Sequence, residues 1–255
     1  MPTVARINVT PVKSTTLHHP DEVRLETFGP VGDRRIVFVD GSGDWYGGDT
    51  DLPLMTIRAE LDEDHGLLRL TLADGTVLEG PATADGEAIT SAYYDGRRAN
   101  AHLLSDDWGT RLTQHLGRPL RLARLDEPGT MVDEPVTLVS LASVAQLAER
   151  GGRDTLDAGR FRMTFELDGC EQHEEDTWNG RTIAIGEAAL SVGDPIPRCV
   201  ITTIDPDTGS QDFPTLKVIA GYRDLMPDGD VPFGVYARVT RPGVVRVGDA
   251  IELQS

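Results

Sequence analysis

The feature that most constrains this chain is how often its apolar runs are cut. Val4-Ala5-Arg6-Ile7-Asn8-Val9 alternates and is then interrupted by Pro11. Arg34-Arg35-Ile36-Val37-Phe38-Val39-Asp40 ends at Gly41-Ser42-Gly43. Leu67-Leu68-Arg69-Leu70-Thr71-Leu72 and Thr76-Val77-Leu78-Glu79 flank Ala73-Asp74-Gly75. Short runs separated by Gly, Asp and Pro read as strands joined by tight turns, and the last pair reads as a hairpin. Many such strands imply a barrel or sandwich.

Helices follow in the second half of the pattern. Ser105 can cap a helix over residues 106–116, starting at Asp106 and stopped by Gly117. Ser140 can cap Leu141–Arg150, with Leu141, Val144, Ala145 and Ala148 on one face and Gly151-Gly152 beyond its end. Asp212 can cap a third helix reaching about Tyr222, with Pro214 in the first turn. Around these helices the strand pattern returns at residues 161–167, 182–185, 189–192, 200–204, 235–240 and 250–253. The polar stretch Asp126-Glu127-Pro128-Gly129 reads as a boundary. The expected architecture is mixed and β-rich, of the α+β class. A β-barrel-like domain with one helix spans 1–127, and a second β-barrel domain with peripheral helices spans 128–255.

Composition excludes several function classes. The net charge is -18 in 255 residues, which repels nucleic acid and anionic membrane surfaces and leaves solubility or a basic partner as its purpose. No apolar run approaches the roughly 18 residues needed to span a bilayer. The start of the chain lacks the apolar core of a signal peptide, so the expected location is the cytoplasm. The two cysteines, Cys170 and Cys199, are too few for a disulfide scaffold and lack zinc-site spacing. Lys13 and Lys217 are the only lysines, every other cation being Arg.

Four segments carry candidate chemistry. Pro11-Val12-Lys13-Ser14 closes the first strand and offers an ammonium and a hydroxyl to an anion; the alternative is a solvated Lys beside a turn. Gly32-Asp33-Arg34-Arg35 opens a strand with apolar residues on both faces, so at least one Arg points into packed protein. Its partner is then a bound anion or a carboxylate such as Asp33. Arg160-Phe161-Arg162 opens another strand in the same way, leading to Asp168-Gly169-Cys170. Arg198-Cys199 follows Pro195 and Pro197, where a stiff loop becomes the strand Val200-Ile201-Thr202-Thr203-Ile204, before the turn Asp205-Pro206-Asp207-Thr208-Gly209. A cation beside a thiol favours the thiolate, the form that acts as nucleophile or soft-metal ligand. His173-Glu174-Glu175-Asp176 has no helical ligand spacing and reads as a solvated acidic loop or helix start. Ser140 and Ser143 read as capping residues.

Taken in order, these segments resemble the MOSC family with its N-terminal β-barrel domain, over nearly the whole chain. The resemblance lies in Pro11 to Ser14, Gly32 to Arg35, Phe161-Arg162, Asp168 to Cys170 with Glu174 to Asp176 and Trp178, Pro197 to Gly209, Leu216 with Tyr222-Arg223, and Val247 to Asp249. Relatives such as the mitochondrial amidoxime reducing component bind a pterin molybdenum cofactor. The resemblance implies that Cys199 ligates molybdenum and that Lys13, Ser14, Arg34, Arg162 and Arg198 hold the pterin and phosphate. Cys170 matches a cysteine that is no metal ligand. The chain departs from the family at Gly47 to Pro53, where a Thr-Ala-Arg-Gln stretch is common. It also departs at Asp133-Glu134, where Thr-Ser is common, at Met163-Thr164 after Phe161-Arg162, and at Pro197 before Arg198-Cys199.

The implied activity is reduction of small N-hydroxylated or related N–O and S–O substrates. Electrons come from a separate flavin or iron–sulfur protein, since no ferredoxin-like cysteine cluster follows. Two alternatives keep the same thiol. In one, Cys199 is a persulfide carrier or nucleophile in sulfur transfer or carbon–sulfur cleavage without metal. In the other, the chain is a non-catalytic carrier of cofactor or sulfur.

Overall fold

The computed structural model describes residues 1–105 and 107–254; Asp106, the expected first residue of the first helix, lies outside them. The chain divides into two compact units, and the division is discontinuous. Met1–Val9, Leu17–Val31 and Asp133–Ser255 form a barrel unit, and Thr10–Thr16 with Gly32–Val132 form a two-sheet unit. The sequence reading sets one boundary after residue 127, whereas the chain crosses between units at residues 9–10, 16–17, 31–32 and 132–133.

The barrel unit is built on a seven-stranded sheet. In spatial order its strands are Thr3–Ile7, Phe165–Asp168, Val136–Ser140, Val231–Arg241, Ala188–Arg198, Thr182–Ile185 and Ile251–Leu253. All neighbours are antiparallel except Val136–Ser140 beside Phe165–Asp168. The sheet nearly closes on itself. Thr3 bridges Ala250, the Val4 amide donates to the Asp249 carbonyl at 2.9 Å, and the Ile251 amide donates to the Pro2 carbonyl at 2.8 Å. Closure removes exposed strand edges. The interior is apolar, with Ile7, Leu138, Phe165, Ile183, Leu190 and Val235 fully buried, each worth about 1.5–3 kcal/mol of transfer free energy. A second apolar cluster, with Phe161, Met163, Phe213 and Phe233, lies under two of the helices.

The two-sheet unit holds a four-stranded antiparallel sheet, ordered Ile36–Val39, Arg121–Leu125, Arg98–Leu103 and Ala88–Ala92. It also holds the meander Arg58–Asp62, Leu67–Thr71 and Val77–Pro81. The expected hairpin forms between the last two, with Gly75 at φ +83° in its turn.

Three helices occur among the described residues: α1 (Asp107–Leu116), α2 (Leu141–Arg150) and α3 (Thr215–Ala220). The Ser140 hydroxyl accepts from the Ser143 amide at 3.1 Å, so α2 is capped as its sequence implies. Asp212 does not cap α3, whose N-cap is Pro214 without a side-chain bond; its carboxylate is taken by Arg153 and Arg160.

Three expected strands are displaced, each at a candidate segment. The strand after Gly32 begins at Ile36, and Arg34 before it is left-handed at φ +48°. Face alternation therefore does not apply to Arg34. The strand expected from Phe161 begins at Phe165. Ala158–Phe161 is instead a 3-10 turn, capped by Asp157 and closed by left-handed Arg162. Val200–Thr203 is also a 3-10 turn rather than a strand. There the Thr202 and Thr203 hydroxyls donate three residues back, to the Cys199 and Val200 carbonyls at 2.9 and 2.7 Å, which competes with strand pairing.

Candidate functional site

Cys199 stands where the Ala188–Arg198 strand ends and the Val200–Thr203 turn begins. The strand runs through Pro195 and Pro197, which face Val235 and Pro232, and its register slips at both. Proline supplies no ladder donor, so irregular pairing is expected there. Cys199 is exposed, and its carbonyl accepts from the Thr202 amide at 3.2 Å and the Thr202 hydroxyl at 2.9 Å. The thiol is therefore presented outward on a backbone that is tied down.

Arg198 turns the other way. Its Nη2 donates to the Phe161 carbonyl at 2.6 Å, its Nη1 faces the Met163 sulfur at 3.5 Å, and its guanidinium lies 5.3 Å from the Phe161 ring centre. Its Nε is buried without a hydrogen-bond partner. Burial lowers the Arg198 pKa, and the nearest opposing influences are the Cys199 thiol and the Tyr236 phenol. Among the described residues no carboxylate forms an ion pair with it. A half-buried cation compensated by a carbonyl, a thioether and a ring lacks the counter-charge that such groups ordinarily have.

Arg162 is half-buried and left-handed at φ +54°, with its amide donating to the Gly159 carbonyl at 3.0 Å. The two residues after it are pinned by Asn8, whose Nδ2 donates to the Met163 carbonyl at 2.8 Å and whose amide donates to the Thr164 carbonyl at 2.9 Å. Thr164, a departure from the family, exchanges hydrogen bonds with Thr137. The acids at the other departure have partners of their own: Asp133 accepts from the Tyr236 hydroxyl at 3.3 Å, and Glu134 pairs with Arg238.

The remaining candidates, Lys13, Ser14 and Arg34, belong to the two-sheet unit. The Lys13 ammonium lies 5.1 Å from the Tyr93 ring centre and 5.8 Å from that of Trp45. Ser14 is left-handed at φ +74°. Arg34 donates to Asp33 at 2.6 Å, so the carboxylate partner foreseen for this segment is present.

Four non-glycine residues have positive φ among the described residues: Ser14, Arg34, Arg162 and His173. Such backbone costs about 1–2 kcal/mol per residue and gathers at functional sites. Three of the four are residues the resemblance assigns to a cofactor.

Sequence reading did not anticipate several neighbours of this site. Arg160 is fully buried, its Nη1 donating to the Thr202 carbonyl at 3.2 Å and pairing with Asp212 at 3.2 Å. Gly234, at φ +71°, leaves room for Met163, since a Cβ there would fall 2.4 Å from the Met163 methyl. The segment read as a solvated acidic loop or helix start does open a 3-10 helix, Glu174–Trp178, but Glu175 is fully buried rather than solvated. The Glu175 carboxylate accepts from the Ser140 amide at 3.1 Å and the Ser143 hydroxyl at 3.3 Å, and burial pushes its pKa up to about 7. The clue in the sequence was Trp178, three residues on and so on the same side of a 3-10 turn. His173 accepts at Nδ1 from Arg223, which leaves its Nε2 hydrogen for the Gln146 carbonyl oxygen at 3.1 Å. Burial, with Arg223 and Arg150, lowers its pKa to about 4.

Comparison with known proteins gives the same ordering of parts. The chain is 33% identical over 148 residues to human mitochondrial amidoxime-reducing component 1, covering 53% of this chain and 43% of that protein. It is 36% identical over 126 residues to the mouse protein, covering 47% and 36%. It is 31% identical over 138 residues to a molybdenum cofactor sulfurase of Caenorhabditis briggsae, covering 52% and 19%. The matches thus span less than half the length of each of these relatives. The MOSC domain model matches residues 103–252 and the MOSC N-terminal β-barrel model matches residues 1–119. On these two matches the chain belongs to the MOSC family.

Proposed function

We propose that this chain is an oxidoreductase that holds a pterin molybdenum cofactor through Cys199 and reduces small N-hydroxylated or related N–O and S–O substrates. The observation that carries this reading is the pairing of an exposed thiol with a half-buried guanidinium that has no carboxylate partner among the described residues. A soft thiolate suits a molybdenum ion, and an uncompensated cation suits the anionic group around it. Backbone strain supports the same assignment, because Arg162 is held left-handed beside Met163 and Arg198.

In this reading Cys199 is the protein ligand and Arg198 supplies charge directly behind it. Arg162 offers a second guanidinium, and Lys13, Ser14 and Arg34 are assigned to pterin and phosphate by resemblance. The bound group supplies the two-electron chemistry, with the electrons delivered by a separate flavin or iron–sulfur protein. The tied carbonyl of Cys199 fixes the backbone from which the thiol projects. Met163 and Phe161 keep water from the inner side of the guanidinium.

A second reading makes Cys199 a metal-free sulfur carrier. The likeness to a molybdenum cofactor sulfurase favours it, and an exposed thiol beside a cation suits a persulfide equally well. Elemental analysis separates the two, using protein made in a host that synthesises the cofactor. Stoichiometric molybdenum in the wild type and its loss in Cys199→Ser supports the reductase. A folded, metal-free wild type contradicts it, and intact mass then reads whether Cys199 carries one added sulfur.

A further inference from the structure

We propose that the Ala158–Phe161 turn is a two-pronged clamp on Cys199, and that Arg160 is a positioning residue for this thiol. The inference rests on Cys199 being the working residue of the proposed function, whichever chemistry it performs.

Consecutive residues of the turn bind the chain on either side of Cys199 in sequence. Phe161 holds the residue before it, through the carbonyl that accepts from Arg198 Nη2 at 2.6 Å and the ring beneath the guanidinium. Arg160 holds the residues after it, through Nη1 on the Thr202 carbonyl at 3.2 Å. Thr202 passes the restraint to Cys199, because its amide and hydroxyl both donate to the Cys199 carbonyl. A second donor, the Thr215 hydroxyl at 2.5 Å, shares the Thr202 carbonyl.

The clamp is anchored behind. Arg160 pairs with Asp212, whose carboxylate also takes Arg153 at 2.6 Å and whose amide donates to the Thr203 carbonyl at 3.1 Å. Arg160 is among the largest fully buried side chains described. Burying a guanidinium is costly, and an apolar residue of similar volume fills space at least as well. What Arg160 adds over such a residue is a directed bond to the turn that carries Cys199. Phe161 is braced in turn by Phe233, stacked at 4.5 Å and 13°.

The test attaches a thiosulfonate nitroxide to Cys199 in folded, cofactor-free Cys170→Ser protein and reads its mobility by electron paramagnetic resonance. Arg160→Met is expected to raise label mobility about twofold or more, with Arg160→Lys in between because it keeps a single donor. Ile185→Val, placed in the other apolar cluster of the barrel unit, lowers stability without touching the clamp and should leave the spectrum unchanged. Unchanged mobility in Arg160→Met, at whatever melting temperature, overturns the proposal and leaves Arg160 a packing residue. If Arg160→Met does not fold, Arg160→Lys and Thr215→Val carry the same comparison. The label reports on the thiol alone, so failure to find molybdenum leaves this readout standing.

Discussion

The two cysteines of this chain sit in opposite surroundings, and the proposed role of Cys199 rests on that contrast. Cys170 is half-buried against the barrel core, and burial with Glu174, Glu175 and Asp168 pushes its pKa up to about 12. Cys199 is exposed, with a half-buried guanidinium one residue away and, among the described residues, no carboxylate paired to that guanidinium. Both are single thiols, so composition does not separate them. Acids and apolar contacts silence one, and exposure leaves the other accessible.

The largest break in this comparison comes from removing each sulfur. Cys199→Ser is expected to abolish molybdenum retention and turnover, while Cys170→Ser stays within about twofold of wild type in both, as read by metal analysis and reduction of an amidoxime. Equal losses would erase the distinction.

A second contrast sets Arg160 against Arg198. Arg160 is a paired, buried cation, so Arg160→Met should cost about 2–3 kcal/mol in a denaturant melt, softened because Asp212 keeps Arg153. Arg198 has no ionic partner to orphan among the described residues. Arg198→Met should therefore cost less stability than Arg160→Met and yet lose the cofactor. The reverse order would place Arg198 among the structural arginines.

The smallest expected effect concerns pH. Glu175, raised to about 7, stays protonated in the fold while the unfolded chain ionises. Its stabilising contribution is full below about 4.5 and is lost as pH rises through 7. His173, depressed to about 4, stays neutral in the fold while the unfolded chain takes up a proton. Its contribution is full above about 6.5 and is lost as pH falls towards 4. Over that window the two slopes oppose each other. Glu175→Gln should uncover the His173 slope, a rise of about 1–2 kcal/mol from pH 4 to 6.5 after allowing for the solvent that reaches this ring. A flat profile in the variant would show that His173 titrates normally.

Much of the fold was legible because its signals are local. The Gly75 hairpin, the Ser140 cap and the Gly117 stop are each set by residues within one turn. The adjacency of Arg198 and Cys199 was legible for the same reason. What stayed hidden depends on partners distant in sequence. Arg162 reads as a strand residue until the Asn8 bonds to residues 163 and 164 place a left-handed turn there. Val200–Thr203 reads as a strand until its threonine hydroxyls fold back on their own carbonyls. Arg160 and Asp212 are 52 residues apart, and Asp212 looks like a helix cap until Arg160 claims it. Glu175 looks solvated because other acids surround it in sequence, and only the Ser140 amide and Ser143 hydroxyl it accepts from explain its burial.

The contrast between the thiols is tested most directly by their rates of alkylation in the folded, cofactor-free protein, where no metal shields Cys199, resolved by peptide mass spectrometry at pH 8. With a pKa near 12, Cys170 is thiolate in only about one molecule in ten thousand at that pH. Labelling of Cys199 at least about 100-fold faster than Cys170, with full labelling of both after denaturation, is the predicted result. Equal native rates, or Cys170 reacting first, would contradict the assignment of Cys199 as the working thiol.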